Sequence, residues 1–462
     1  MISGRRCGAF SALVLLGLAC QPDGPPPPDI VVFLTDDQRA DLFLEYMPRT
    51  KALLADSGVV FSHAFANTPN CCPSRATFLT GLYQHNHGVL NNVPPDGGAM
   101  ELSTRGTIGV WLQRGGYLTA YFGGKWLNEY SRVEPWPHVP PGWDEWHVPA
   151  RSVYYDYTLV ERTWPDSVVT QTVHGGAPSD YATDVMTGKI VAFLKRLPEN
   201  RPVFLVVATS APHRPSLPAP RDVDACRQLE PPRSASYDET DTSDKPQFVR
   251  RVQPATGAMH LQTDSIWRGM CGSLQAVDRM VEAVINGLAE RERLDRTFIL
   301  YTSDNGIALG EHRLWWRKGT AYDHDVRVPF VVRVPGVEPR LDTAFVQMAD
   351  IAPTLLDWAG ITPTSPMDGQ SLLPHIERYG ALARDAILIE NLWTRQRINP
   401  AVRAVRTRRY LYAEYESGER ELYDLATDPY QLDSRHADAQ YDSVRVRLAR
   451  RLARLSASEK KQ

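Results

Sequence analysis

Two acidic pairs and two adjacent cysteines are the residues of this chain best suited to chemistry. Asp36 and Asp37 close the run "DIVVFLTDD", and Asp304 with Asn305 closes "TFILYTSDNG". Together they offer three carboxylates and an amide oxygen. That hard-oxygen set suits Ca2+ or Mg2+ and suits Zn2+ poorly, because zinc favours His and Cys. Each pair alone reads as well as turn residues; their shared position at the ends of apolar runs favours a metal. Cys71 and Cys72 lie in "NTPNCCPSRATFLTG", residues 67–81. Vicinal cysteines are badly placed to bridge each other, since a disulfide needs separated Cα atoms and converging side chains. At least one of them needs another explanation.

Strands must bring these groups together. The runs at 29–37, 202–213, 297–306 and 328–336 are continuously apolar and rich in β-branched residues. They read as buried parallel strands covered on both faces. "SLQAVDRMVEAVINGLAERE" (273–292) carries apolar residues at helical spacing, as a covering helix should. The expected fold class is α/β, a large mostly parallel sheet sandwiched by helices over 29–384. Ligands of such sheets bind outside the carboxyl ends of the strands, which is where the acids and His213 fall. Residues 214–265 lack periodicity and read as a surface excursion near the site. A smaller C-terminal subdomain, 385–462, alternates like antiparallel strands and ends in "SVRVRLARRLARL". Val444, Leu448, Leu452 and Leu455 share one face of that helix. They are expected to dock on the main domain with the arginines solvated, in preference to binding an anionic surface.

Bulk composition excludes several classes. The chain has 462 residues and a net charge of −3, without the basic balance of a nucleic-acid binder. Six cysteines are too few for a disulfide scaffold. Cys226 and Cys271 are candidates to pair after export, but their spacing does not establish it. The N-terminus has Arg5 and Arg6 followed by an apolar run from Ala9 to Ala19, the pattern of a signal peptide over residues 1–20. Cys20 after "LGLA" resembles a bacterial lipoprotein processing site, which would supply a lipid anchor, and a Pro-rich linker (21–28) follows. The expected location is periplasmic or cell-surface.

The motif C-x-P-x-R at Cys71, Pro73 and Arg75, continued by "SRATFLTG", resembles the type I, formylglycine-dependent sulfatases of the alkaline phosphatase superfamily. The resemblance runs through nearly the whole chain after the leader. "GGKWLNEY" (123–130) points to Lys125, "SAPHRP" (210–215) to His213, and "WWRKGTAYDHDVRVPFVVRVPG" to Lys318. "GERELYDLATDPYQL" (418–432) resembles the family's C-terminal signature. The resemblance implies that a formylglycine-generating enzyme converts Cys71 to formylglycine and leaves Cys72 unmodified. It implies Asp36, Asp37, the residue-71 side chain, Asp304 and Asn305 as ligands of Ca2+, with Mg2+ also permitted by the oxygen set. Arg75, Lys125, His213 and Lys318 are implied as the catalytic cations and acid, with His213 protonating the leaving alcohol and Lys318 its rival for that role. "CCPSR", "GKWLNEY" and "HNHGVLNN" resemble N-acetylglucosamine-6-sulfatases and related heparan-sulfate sulfatases more than simple arylsulfatases. The implied substrate is therefore a sulfated carbohydrate such as 6-O-sulfated N-acetylglucosamine, ahead of an aryl sulfate.

There are departures and rivals. Many sulfatases place a histidine where this chain has Leu127, and Asn128 or His147 is the expected substitute. His85 and His87 are expected to shape the loop after the motif, with substrate contact the lesser reading. Among Trp126, Trp136, Trp143, Trp146, Trp315 and Trp316, one or two are expected to touch substrate. A phosphonate or phosphate diester hydrolase of the same superfamily would usually carry histidine in place of Asn305. A catalytically dead carbohydrate-binding lipoprotein would be expected to lose Cys71, Arg75 or an acid, and none is missing.

Overall fold

β1 (Asp29–Asp36) is buried along its whole length. Ile30, Val32 and Leu34 enter one hydrophobic core, whereas Val31 and Phe33 enter another on the opposite face. A strand alternates its side chains, so a continuously apolar run demands cover on both sides. The computed structural model describes residues 28–42, 45–380, 382–392 and 399–457. The expected signal peptide over 1–20, the expected processing site at Cys20 and nearly all of the expected 21–28 linker lie outside the described residues.

Among the described residues, ten strands form one sheet and four form a second. The large sheet starts with β1, β2 (Val59–Phe65), β3 (Leu118–Gly123), β4 (Glu145–Pro149), β5 (Tyr157–Arg162) and β6 (Val169–His174). β7 (Val203–Pro212) and β8 (Thr297–Ser303) follow. A small ribbon, β9 (Ala308–Leu309) with β10 (Trp315–Arg317), precedes β11 (Phe330–Arg333) and β12 (Arg340–Gln347), which complete the large sheet. Its order is β12-β2-β11-β8-β1-β7-β3-β4-β5-β6, and the stretch β8-β1-β7-β3-β4 is parallel throughout. The fold is thus a mostly parallel α/β sandwich. The run 328–336 departs from expectation, because β11 pairs antiparallel with both β8 and β2. The chain leaving β8 stays over the carboxyl end of the sheet, builds part of the site there and re-enters from that end. Composition alone cannot reveal this reversal.

The helix Gly257–Glu290 covers one face together with Ala182–Lys195. Helices Cys71–Thr80, Ile108–Arg114 and Ile351–Trp358 cover the other. The long helix begins inside the segment expected to be irregular. Gly257, Ala258, Leu261 and Gln262 in its first turns are exposed, so no apolar period marks them. Upstream of it the excursion is largely irregular, and the disulfide Cys226–Cys271 staples it to the helix.

The second sheet is antiparallel, with β13 (Ala386–Asn391), β14 (Val402–Thr407), β15 (Tyr410–Tyr415) and β16 (Arg420–Asp424) in sequence order. Ile387, Ile389, Ala404, Leu411 and Ala413 pack with Phe65, Tyr322 and Val326 of the main body. Leu388, Val405, Tyr412 and Leu422 face away and pack with Leu448 and Leu452 of the terminal helix Asp442–Leu455. The apolar stripe of that helix was legible, but it docks chiefly on the small sheet, with Tyr83 of the main domain packed against the same cluster. An antiparallel sheet with two apolar faces needs cover on both, and the terminal helix supplies the outer one.

The disulfide closes a loop of 45 residues. From loop length, removing it with the Cys226→Ser/Cys271→Ser pair should cost about 2–4 kcal/mol. Urea denaturation of the double variant beside the parent measures this, and an unchanged midpoint would contradict it.

Candidate active site

Strand register assembles the site. β1 and β8 run parallel with Thr35 opposite Ser303, so Asp36–Asp37 and Asp304–Asn305 emerge side by side. β7 lies on the other flank of β1 with Pro212 opposite Asp36, which delivers His213 to the same place. β3 pairs with β7 and ends at Gly123, two residues before Lys125. At Gly124 a Cβ would meet Ser210 Oγ at 2.1 Å, so only glycine lets the Lys125 segment pass so close to the β7 end. The helix Cys71–Thr80 starts over these strand ends, with Cys71 as its first residue. Asp37 itself has φ 66°, in the left-handed region, which turns its carboxylate back over the strand ends.

Carboxylate oxygens of Asp36, Asp37 and Asp304 and Cys71 Sγ all lie within 4.8 Å of one another. Asn305 joins them, its Nδ2 donating to Asp37 Oδ1 at 2.6 Å. Its Oδ1 is buried with no hydrogen-bond donor. Three cations surround the acids. Arg75 Nε donates to Asp304 Oδ2 at 2.7 Å, and its Nη2 lies 3.4 Å from Asp36 Oδ2. Lys125 Nζ is 2.8 Å from Asp36 Oδ2. Lys318 Nζ donates to Cys71 Sγ at 2.7 Å and pairs closely with Asp37. His213 Nε2 stands 3.7 Å from Asp37 Oδ2, while its Nδ1–H donates to Arg214 O at 2.6 Å.

The electrostatics follow from this crowding. Burial opposes ionisation of Asp36, but Lys125, then His213 and Arg75, outweigh it and hold the carboxyl far below its usual range. Asp304 is shifted upward, by burial first and then by the neighbouring Asp36 charge, against the pull of Arg75. Burial lowers the Lys318 value, but the neighbouring carboxylates, Asp37 first, more than reverse it, so the ammonium stays charged. The Cys71 thiol is pushed up to about 12 by burial and by Asp36. An unmodified thiol here is therefore protonated at neutral pH and a poor nucleophile.

All the residues singled out from sequence for catalysis and metal binding converge here, but Arg75 differs in kind from the lysines. It is fully buried behind the carboxylates, and its Nη1 donates to the Lys125 carbonyl at 2.9 Å. It braces the acids and the Lys125 segment from below. Cys72 is buried in the apolar core on the helix side of the sheet, which answers why two thiols are adjacent: one faces the site and one faces the core.

Several expectations need correction. His147 does not replace the histidine missing at Leu127. It is buried between Glu145 at 2.7 Å and Glu161 at 2.8 Å and stacks on Phe122. Asn128, by contrast, lines the cleft beside Lys125. Trp143 and Trp146 are core residues packed on Tyr121 and cannot reach a substrate. Trp126 lines the cleft but is itself nearly all buried. His85 and His87 shape their loop: His85 Nδ1 bonds Glu390 at 2.6 Å, and His87 Nδ1 accepts from the Val89 amide at 3.1 Å.

Sequence reasoning missed three supports. Ser74 Oγ donates to the Asp304 carbonyl at 2.5 Å, Asn92 Oδ1 accepts from the Cys72 amide at 2.8 Å, and Tyr154 OH donates to the His213 carbonyl at 2.7 Å. The first two sit inside stretches already marked as motifs; Tyr154 carries no local signal. A cleft of about 520 Å³ leads away from the acids, lined by Lys125, Asn128, Glu129, Arg132, Arg151 and His213.

A family model described as Sulfatase matches residues 28–361, and one described as N-sulphoglucosamine sulphohydrolase, C-terminal, matches residues 310–458. The chain is 36% identical over 383 residues to the Extracellular sulfatase SULF-1 homolog of Drosophila melanogaster, covering 80% of this chain and 33% of that protein. It is 35% identical over 381 residues to the N-acetylglucosamine-6-sulfatase of Homo sapiens, covering 79% of this chain and 68% of that protein. The chain thus spans a third of the length of the first relative and about two thirds of the second. A structure solved in complex with its substrate D-glucosamine-2-N,6-O-disulfate matches with a TM-score of 0.79 at 24% identity, covering 93% of this chain and 97% of that one. That last likeness is one of fold.

With its thiol held protonated, unmodified Cys71 should resist iodoacetamide at pH 8 in the folded protein and react readily once unfolded in guanidinium. Peptide mapping across residues 67–81 reads this directly, and rapid labelling of Cys71 in the folded protein would contradict the assignment.

Proposed function

The chain belongs to the sulfatase family, and on that premise we propose that it hydrolyses sulfate esters of carbohydrate, 6-O-sulfated N-acetylglucosamine among them. One observation carries the reading: Arg75, Lys125, His213 and Lys318 surround the acid cluster that also holds Cys71, at the inner end of a polar cleft. A sulfate ester is an anion, and a site that attacks it needs concentrated positive charge beside a nucleophile.

Asp36, Asp37, Asp304 and Asn305 would hold a divalent cation. The buried, unpartnered Asn305 Oδ1 fits a ligand atom, and the all-oxygen donors fit Ca2+, with Mg2+ also accommodated. When bound, the cation supplies charge neutralisation at the ester oxygens and acidifies the attacking hydroxyl. A formylglycine at position 71, installed by a formylglycine-generating enzyme, would supply as its hydrate one hydroxyl to attack sulfur and a second through whose deprotonation sulfate would leave and the aldehyde be restored.

The remaining work falls to the chain's own side chains. Asp36, held ionised by Lys125, His213 and Arg75, is available as a ligand at neutral pH. Lys125 and Lys318 flank position 71 and bind the sulfate oxygens as negative charge builds on them. Arg75 acts from behind by fixing Asp36 and Asp304. His213 anchors Nδ1 on the Arg214 carbonyl, which leaves Nε2 on the cleft side to give a proton to the departing alcohol. Lys318 reaches Cys71 Sγ itself, on the nucleophile side, and geometry therefore favours His213 as the acid. The cleft's polar and charged lining suits a sugar more than a flat aryl group, and Asn305 favours sulfate over phosphorus esters. The Cys226–Cys271 disulfide supports an oxidising, exported location, periplasmic or cell-surface, with Cys20 as the lipid anchor.

Fully modified, Ca2+-loaded protein should release sulfate from N-acetylglucosamine 6-sulfate and act poorly on the corresponding phosphate. His213→Ala should lower kcat on the sugar ester by about 10²–10⁴-fold. On 4-nitrophenyl sulfate, whose leaving group needs no proton, the same change should cost far less. Equal losses on both would remove His213 as the acid, and no release from any sulfated sugar would overturn the proposal.

A further inference from the structure

The short segment that carries Lys318 is tied on one side to Asp325 of the main body, through the Thr320 amide and hydroxyl at 2.9 and 2.7 Å, and on the other to the C-terminal subdomain. Asn399 Nδ2 donates to the Lys318 carbonyl at 3.1 Å, and Asn391 Nδ2 donates to the Gly319 carbonyl at 2.9 Å. Gly319 has φ 107°, a backbone conformation that favours glycine, and a Cβ there would crowd Asn391 Nδ2 at 2.8 Å. Further along, Tyr322 OH donates to Glu421 Oε1 at 2.6 Å. Arg406 on β14 grips the Asp323 carboxylate through Nε and Nη2, both at 3.1 Å, and the Asp323 amide donates to Gln431 Oε1 at 3.1 Å. Residues 318–323 thus have tethers to β13, β14, β16 and the turn after it.

Glu421 is the deepest of these anchors. It lies in "GERELYDLATDPYQL", a motif the reaction leaves without a task, and it is 1% exposed. Tyr415 and Tyr423 also donate their hydroxyls to it. A buried carboxylate is costly unless its lone pairs are filled, and here three hydroxyls fill them. Such a cluster fixes the position of every hydroxyl bonded to it, because each broken bond leaves a buried acceptor short of a donor. Two of those hydroxyls belong to the small sheet, and the third belongs to the Lys318 segment.

We propose that Glu421, acting through Tyr322, is a positioning residue for Lys318, and that the C-terminal subdomain contributes to the reaction by fixing that ammonium against Asp37 and Cys71. The role in turnover rests on the sulfatase reading above; the mechanical coupling does not. A displacement of about 1 Å at a catalytic cation is enough for a large rate loss. Tyr322→Phe is conservative in volume, and Glu421→Gln keeps the shape of the cluster.

Two readouts test it. In kinetics, each variant should lower kcat on the sulfated sugar about tenfold or more, with melting temperature nearly unchanged, and should cause no further loss in a Lys318→Ala background. An equal loss in that background would show a general structural effect and overturn the proposal. The second readout needs no turnover: acylation of lysines by an N-hydroxysuccinimide ester, followed by peptide mass. Both variants should raise the labelling rate of Lys318 severalfold and leave Lys125 unchanged. Unchanged Lys318 labelling, or an equal rise at Lys125, would overturn the coupling even if the protein proved not to be a sulfatase.

Discussion

Negative charge packed where β1 and β8 end is the constraint on which the rest of this structure depends. Parallel register forces Asp36, Asp37 and Asp304 into one buried cluster, and buried like charges repel strongly in a low-dielectric interior. Each surrounding element brings something that offsets this. The helix begun by Cys71 supplies Arg75, the end of β3 supplies Lys125, and the loop after β10 supplies Lys318. Removing one cation would strand carboxylates that have no water to turn to. The same balance that lets the chain fold leaves acids and cations facing one another at the position proposed to take a divalent cation and an anionic ester.

The supporting shell is arranged by distance from that cluster. The ends of two fully buried central strands carry the acids. Arg75 is locked beneath them by Asp304 and the Lys125 carbonyl. His213 and the cleft walls are more exposed, as the proposed roles of proton donor and substrate surface require. Lys318 arrives on a segment with little regular structure of its own, fixed between Asp325 of the main body and the second sheet. The C-terminal subdomain is in this sense part of the active site without lining its acidic cluster.

Much of this was legible in the sequence, for a physical reason. Strand ends are marked by the switch from apolar to acidic residues, and the C-x-P-S-R helix start is a short-range pattern. Both survive without knowledge of tertiary contacts. What failed depended on partners far along the chain. β11 is apolar like its neighbours, and nothing local says that it returns from the carboxyl end. His147 reads as a free histidine until Glu145 and Glu161 close on it. Trp143 and Trp146 stand among six candidate substrate contacts until they prove to be core. The terminal helix showed its apolar face but not which sheet it covers. The Glu421–Tyr322 bond joins residues 99 apart, and no spacing rule anticipates it.

The central claim is that Cys71, inert as a thiol in its buried acidic setting, becomes the nucleophile through conversion to formylglycine. The most direct test is the mass of the peptide spanning Cys71 and Cys72, from active protein made with a formylglycine-generating enzyme. The account predicts replacement of the thiol by an aldehyde at Cys71 alone, in proportion to activity. Full activity in protein whose Cys71 remains an unmodified thiol would contradict it.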